Sequence, residues 1–461
     1  MTTSGRNTGR AGRLARPLLA AAILITGGAA LAPAAAQNPG APLPGDSARP
    51  ITIDEAVRLA QRNAPAAVQA RGQERTGRSA LRSAYGAFIP NLNFNASSSW
   101  QQGTTLVAGN IVQLNRDAWN FTNGLSASLD LFNGRRLADI RQARADVEAA
   151  SANELSQRFG VALNVKQQYF AVLAARESEA AARAQLAQAE QQLKSATARV
   201  GAGVATKSDS LRSVIQVGNA QLALVTAQNA LRVANASLTR LVATPFLVTA
   251  SPSDTLERAP VAADSATLAR LAAQGPMVAQ AEANVVSARA ARSAARAPYL
   301  PTLSVQGSYS GNLAGSNFNF GDAAVFANGT YPSQKSVRFT LSYPLFNQFN
   351  REEQVVRADV ARENAEAQLR DARLAAQQSL VQYLGALRTA EQRVAIQQAS
   401  VAAAEEDLRV QQQRYSLGAS TLLDLLTSQT QLDQARAALI QARYDYRVAK
   451  AQLEALVGQA L

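Results

Sequence analysis

The side chains that carry most enzyme chemistry are absent. The 461-residue chain has no His and no Cys. It therefore has no imidazole base, no Ser-His-Asp or Cys-His pair and no His-ligated metal. It also has no disulfide, no thiolate nucleophile, no thiolate zinc site and no cysteine to carry an N-terminal lipid. Carboxylates remain, but no clustered acid pair of the kind a carboxylate enzyme uses is visible. No catalytic residue, cofactor or metal ligand is expected. What recurs instead is Arg-x-x-x-Gly, at Arg199 and Gly203 and again at Arg414 and Gly418. Each is followed six residues after the Gly by an acid, Asp209 and Asp424. Arg brings fixed cationic donors and Gly a left-handed turn without strain. That combination suits a tight helical turn, with or without a binding role, rather than a reaction centre.

The two turns belong to a tandem repeat. Asn63-Ala64-Pro65 matches Gln274-Gly275-Pro276, and Ile89-Pro90-Asn91-Leu92 matches Leu300-Pro301-Thr302-Leu303, both at an offset of 211. Leu131-Phe132-Asn133 matches Leu345-Phe346-Asn347 at 214. Arg199, Gly203, Asp209 and Leu241 match Arg414, Gly418, Asp424 and Leu456 at 215. The repeats are expected over 37–242 and 262–461. Pro245, Pro252 and Pro260 mark 243–261 as a linker. Each repeat should hold a short helix, a second helix, two strands and two long helices. Thr52 and Glu55 suggest a capping box at the first helix.

Residues 1–36 read as a cleaved signal peptide. Arg6, Arg10, Arg13 and Arg16 precede an apolar run over 18–32, then Ala34-Ala35-Ala36. The formal net charge of the chain is +13. The excess is spread along helical faces rather than clustered, so nucleic acid is not an expected partner of this exported chain. Beyond residue 36 no apolar run is long enough to span a bilayer as a helix.

The strands carry the membrane signal. Four are expected, at about 91–100, 120–131, 302–310 and 335–345. Phe121, Leu125, Ala127, Leu129 and Leu131 share one face, opposite Thr122, Gly124, Ser126, Ser128 and Asp130. Val337, Phe339, Leu341, Tyr343 and Leu345 alternate with Arg338, Thr340 and Ser342. This is period two, and about ten residues cross an outer membrane when tilted. Four strands cannot close a barrel, and an open edge cannot face lipid. By pattern alone a soluble sandwich with one buried face is equally open; if the strands span a membrane, the protein must share one barrel among copies, and two, three or four copies all remain open.

The remaining helices, about 133–199, 204–242, 347–414 and 419–457, are long. Asn133 and Asn347 are expected to cap the first of each pair. The return helices carry a seven-residue ladder: Leu425, Leu432, Leu439, Tyr446, Leu453, interleaved with Ser428, Ala435, Ala442, Ala449 and Leu456. Val217, Leu224, Leu231 and Leu238 repeat it in the first copy. A sustained three-four ladder signals a coiled coil. A periplasmic coiled-coil adaptor or a structural protein would share the ladder, but not the paired strands.

The chain resembles the TolC family of outer membrane efflux channels. The resemblance rests on the tandem repeat, the strand pairs between long helices, the Leu-Phe-Asn-Gly-Arg run at 131–135, and the Arg-x-x-x-Gly turns. It implies an α+β membrane protein of long α-helical coiled-coil hairpins, forming a periplasmic α-barrel. Four transmembrane β-strands per protomer would join a shared 12-stranded β-barrel in a homotrimer. It implies residence in the outer membrane, with a long periplasmic extension. The implied job is a passive exit duct for small molecules or proteins, in a tripartite efflux or type I secretion system. A periplasmic adaptor and an inner membrane transporter would be its partners, with outer membrane lipid around the barrel. By match, Arg199, Gly203, Arg414 and Gly418 form the adaptor-binding tip. Asp209, Tyr415 and Asp424 fall at the periplasmic gate, where Asp209 and Tyr415 are expected to share a hydrogen bond. The family's gate Arg falls on Ser420, so no closing salt bridge carries over.

Overall fold

The computed structural model describes residues 48–101, 105–107, 110–112, 118–256, 264–315 and 333–461. The expected signal peptide at 1–36 lies outside the described residues, as do parts of the segments joining the strands. The first repeat runs β1 (Arg49–Ile51), α1 (Ile53–Asn63), α2 (Pro65–Gly86), β2 (Asn91–Gln101), β3 (Thr105–Val107), β4 (Asn110–Val112), β5 (Ala118–Asn133), α3 (Gly134–Gly201) and α4 (Lys207–Val242). After β6 (Val248–Ala250), the second repeat runs α5 (Ser265–Ala273), α6 (Pro276–Arg296), a 3-10 turn (Ala297–Tyr299), β7 (Thr302–Gly315), β8 (Ser333–Ser342), α7 (Asn350–Ser416) and α8 (Leu422–Val457).

Helix α3 has 68 residues and α7 has 67, so each is about 100 Å long at a 1.5 Å rise. Each folds back through a short turn onto a 36-residue helix, α4 or α8. The expected ladder is the packing seam of α8. Leu425, Leu432, Tyr446 and Leu453 are buried, with Ser428, Ala442 and Ala449 between them. Alanine at the interleaved positions lets the helix axes approach. In α4 only part of the matching ladder is buried, Ala220, Ala234 and Leu238.

The short helices lock the hairpins at mid-length. Ala56 and Ala60 of α1 join Val161, Val165, Tyr169 and Leu173 of α3 in the largest core. Leu268 and Ala272 of α5 join Leu380, Leu387, Tyr446 and Leu453 in the second repeat's core. Thr52 accepts a hydrogen bond from Glu55 N at 3.3 Å, capping α1. The segment expected only as a linker contains β6, which pairs in parallel with β1. Tyr169 holds that pair to α3. Its one hydroxyl proton faces both the Asp254 carboxylate at 2.5 Å and Ile51 O at 2.9 Å, and its oxygen accepts from Ser251 N at 3.0 Å. Burial pushes this phenol above its ordinary pKa, and the Asp254 bond adds to the rise.

The four-stranded sheet has the order β2-β5-β7-β8, antiparallel throughout. Its register aligns the apolar positions across all four strands. Leu92 lies opposite Ala127, Phe94 opposite Leu125, Leu125 opposite Tyr309, Leu129 opposite Val305, and Val305 opposite Phe339.

The two strand-to-helix junctions differ. In the first repeat Asn133 caps α3, accepting from Arg135 N at 3.0 Å. In the second, Asn347 does not cap α7. Gln348 and Phe349 both take left-handed backbone, at φ 57° and 61°, and α7 starts at Asn350. Two consecutive non-glycine residues there are strained, so the detour needs support. Arg351 supplies it, donating to Pro344 O at 2.9 Å and stacking on the Tyr299 ring at 4.8 Å. The Phe346 and Phe349 rings also pack edge to face at 5.5 Å. Arg136 is its counterpart in the first repeat, donating to Asp130 O at 2.5 Å and lying 5.2 Å from the Phe88 ring.

Candidate functional site

Two regions are candidates for function: the sheet at one end and the hairpin turns at the other. On the sheet, Val337, Phe339 and Leu341 are 69%, 67% and 71% exposed, and Phe94 is 69% exposed. Among the described residues nothing covers this apolar face, as suits a face that meets hydrocarbon. The opposite face carries Asn93, Asn95, Ser126, Ser128, Ser304, Gln306, Ser308 and Thr340. No helix among the described residues is long and apolar enough to cross a membrane.

Both turns have the same construction. Gly203 and Gly418 take φ of 76°, which L side chains rarely adopt. Gly203 N donates to Val200 O and Val204 N to Arg199 O, each at 3.0 Å. Gly418 N donates to Tyr415 O at 3.1 Å and Ala419 N to Arg414 O at 2.8 Å. These paired bonds close the helix ends as Schellman motifs. The following helices begin at full capping boxes. Asp209 accepts from Thr206 N at 3.1 Å and from its hydroxyl at 2.8 Å. Asp424 accepts from Thr421 in the same way, at 3.0 and 2.8 Å. The bonds from the Thr421 backbone and hydroxyl hold the Asp424 carboxyl below its usual pKa. That depression keeps Asp424 ionised as pH falls through the ordinary carboxylate range.

The two arginines are not equivalent. Arg414 is exposed, with a 3.5 Å contact to Ala419 O. Arg199 is half-buried and crosses between the hairpins. It lies over the Tyr415 ring at 4.6 Å and donates to Tyr415 O at 3.2 Å. Among the described residues Asp209 and Tyr415 share no hydrogen bond. The carboxylate is occupied by its own capping box, so the Tyr–Asp link implied by resemblance is not made within one protomer. The Arg199 contact ends a line of bonds between α3 and α8 or its turn. Lys166 pairs with Glu454 at 2.5 Å, and Gln185 donates to Asp433 at 2.7 Å. Among the described residues no carboxylate cluster is arranged to hold a metal.

A sheet with a lipid-type face, continued by helices about 100 Å long that end in exposed turns, defines a channel-forming outer membrane protein. The comparisons identify which. The model of the family described as outer membrane efflux protein matches twice, over 56–244 and 267–459. The chain belongs to that family. It is 27% identical over 377 residues to the pyoverdine export outer membrane protein OpmQ of Pseudomonas aeruginosa, covering 80% of this chain and 76% of that one. Its fold is similar to the Neisseria gonorrhoeae MtrE outer membrane channel, solved in its open state, with a TM-score of 0.71 at 20% identity. That match covers 91% of this chain and 94% of MtrE. Vibrio cholerae VceC matches with a TM-score of 0.68 at 17% identity, over 88% and 96%. The protein is thus a channel of an export system, seated in the outer membrane with a long periplasmic extension.

Proposed function

We propose that three copies close their sheets into one 12-stranded barrel, and that the hairpins continue it as a tube across the periplasm. The observation that carries this reading is the four-stranded sheet, apolar on one face and open at β2 and β8. Unpaired strand edges are not tolerated in lipid, so each β2 needs the β8 of a neighbour. Exposed apolar stripes on the helices agree. Leu211, Ile215, Leu222 and Val225 line α4. Val360, Leu374 and Val381, then Ile396 and Val410, line α7 at multiples of seven, and Leu417 continues the second row at the C-cap. Heptad stripes left uncovered in one chain suit the α-barrel seam with another. The native absence of Cys makes a direct test simple. A cysteine at Asn93 in β2, combined with single cysteines along β8, is expected to give dimer and trimer bands on oxidation. Failure to cross-link at every β8 position would contradict the shared barrel.

In this reading the duct makes and breaks no bond. Energy comes from an inner membrane transporter of a tripartite efflux or type I secretion system. A periplasmic adaptor joins it at the turns of Arg199, Gly203, Arg414 and Gly418. The gate lies where Arg199 meets Tyr415, with Asp209 as a helix cap and Asp424 as a cationic solute's first carboxylate. Stacking at this distance is worth about 1 kcal/mol per protomer. Arg199→Ala and Tyr415→Ala are therefore expected to raise single-channel conductance several-fold. Tyr415→Phe keeps the ring and the backbone carbonyl, and should leave conductance near wild type. Opening by Tyr415→Phe and Asp209→Ala instead would place the closing bond between Tyr415 and Asp209 in the assembly.

A further inference from the structure

The four strands carry three charged residues among the described positions: Asp130, Lys335 and Arg338. Two are accounted for. Lys335 shares the parity of the apolar face and lies 5.8 Å from the Tyr309 ring near the far end of β8, where its stem can reach the interface. Asp130 sits at the helical end of β5. It accepts from Asn133 at 3.0 Å and lies 3.9 Å from Arg136.

Arg338 is different. It lies mid-strand in β8 on the polar face, opposite Gln306 in the register. Its neighbours on that face are Ser336 and Thr340 along β8, with Ser304 and Ser308 across on β7. Ser308 and Ser336 bond to each other at 2.7 Å. No carboxylate among the described residues neutralises the guanidinium. Every other polar-face position from Gln306 outward is neutral among the described residues, so Arg338 sets the sign of this stretch of wall.

Resting on the trimeric barrel proposed above, we propose that three Arg338 side chains form a cationic ring in the helical half of the barrel. The ring makes the outer part of the duct prefer anions, and gives solutes with several negative charges, such as polycarboxylates or polyphosphates, a binding site on their way out. Geometry supports the reach of the field. Twelve strands about 4.8 Å apart and tilted by about 40° close at a backbone radius of roughly 12 Å. An arginine side chain spans about half of that radius. The guanidinium groups then stand within about one Debye length, roughly 8 Å at 0.15 M salt, of the pore axis. Salt screens the centre of the lumen from them only in part, and rings of Arg or Lys are the usual basis of anion preference in pores.

The test uses the purified full-length channel in planar bilayers under a KCl gradient, with inorganic triphosphate added on the extracellular side. R338Q is expected to move the reversal potential towards potassium and to need about tenfold more triphosphate for half block. R338K should behave as wild type. Q306E, which sets a carboxylate opposite each Arg338, should abolish block while leaving the arginine in place. D424N, altered at the other end of the duct, should keep the block. Normal channels from R338Q and Q306E with unchanged reversal potential and unchanged block would overturn the ring. A wild-type protein that forms no channels would instead overturn the channel reading beneath it.

Discussion

Phe339→Arg is expected to abolish assembly in the outer membrane, while Arg at the adjacent Thr340 is tolerated. The two positions are neighbours in β8 and both are exposed in the single chain. Only the face differs. Phe339 lies in the apolar row opposite Val305, and Thr340 lies opposite Ser304. A lipid-facing arginine near the bilayer midplane costs about 2–4 kcal/mol, and one facing the lumen costs little. Three copies raise the lipid-side cost to roughly 6–12 kcal/mol per trimer, comparable to the whole stability of many proteins. Heat-modifiable oligomer on a gel of outer membrane fractions reads the result. Equal assembly of both variants would show that the Phe339 face does not meet lipid.

Gly275→Ala is expected to lower the melting temperature of the assembled protein by on the order of 10 °C, from about 3 kcal/mol of overpacking. Gly275 caps α6 where that helix starts against the end of α8. A Cβ there would overlap the backbone oxygen of Leu456. Backbone cannot rotate away as a side chain can, so α6 and α8 must separate. The other side of the contact is also tight, because Gly458 holds φ at 75° with Pro276 3.0 Å from where its Cβ would stand. Gly72→Ala in α2, where a Cβ meets nothing within 4 Å, is the matched control. It should leave the melting temperature unchanged or raise it slightly, since Ala favours helix. A Gly275→Ala protein that melts with wild type would mean that this junction is loose.

Much of this architecture was legible because it is periodic. Alternation around Leu125 and Phe339 placed strands, and the seven-residue ladder through Leu432 and Tyr446 placed the buried seam of α8. Both signals are local, so a window of sequence contains them. The links between distant segments were not legible. Tyr169 bonds Ile51, Ser251 and Asp254 across 118, 82 and 85 residues, and β6 was hidden in a proline-rich linker because three residues make too short a pattern. Arg136 and Arg351 clamp strand ends onto aromatic rings contributed by Phe88 and Tyr299. Their equivalence at an offset of 215 was available in the repeat, but their role needs the fold. Asn347 misled because it matches Asn133 in type, while the two residues after it detour through left-handed backbone. At the turns, motif spacing located Arg199, Gly203, Arg414 and Gly418. It could not show that Arg199 alone reaches across 216 residues to Tyr415, nor that Asp209 is already satisfied by Thr206.

The most direct test of the shared barrel is the mass of the detergent-solubilised particle from outer membranes, by native mass spectrometry. Three copies, with no larger or smaller species that keeps the sheet intact, is the predicted result. A monomer, or a particle recovered from the soluble periplasm, would contradict it and return the four strands to an ordinary soluble sheet.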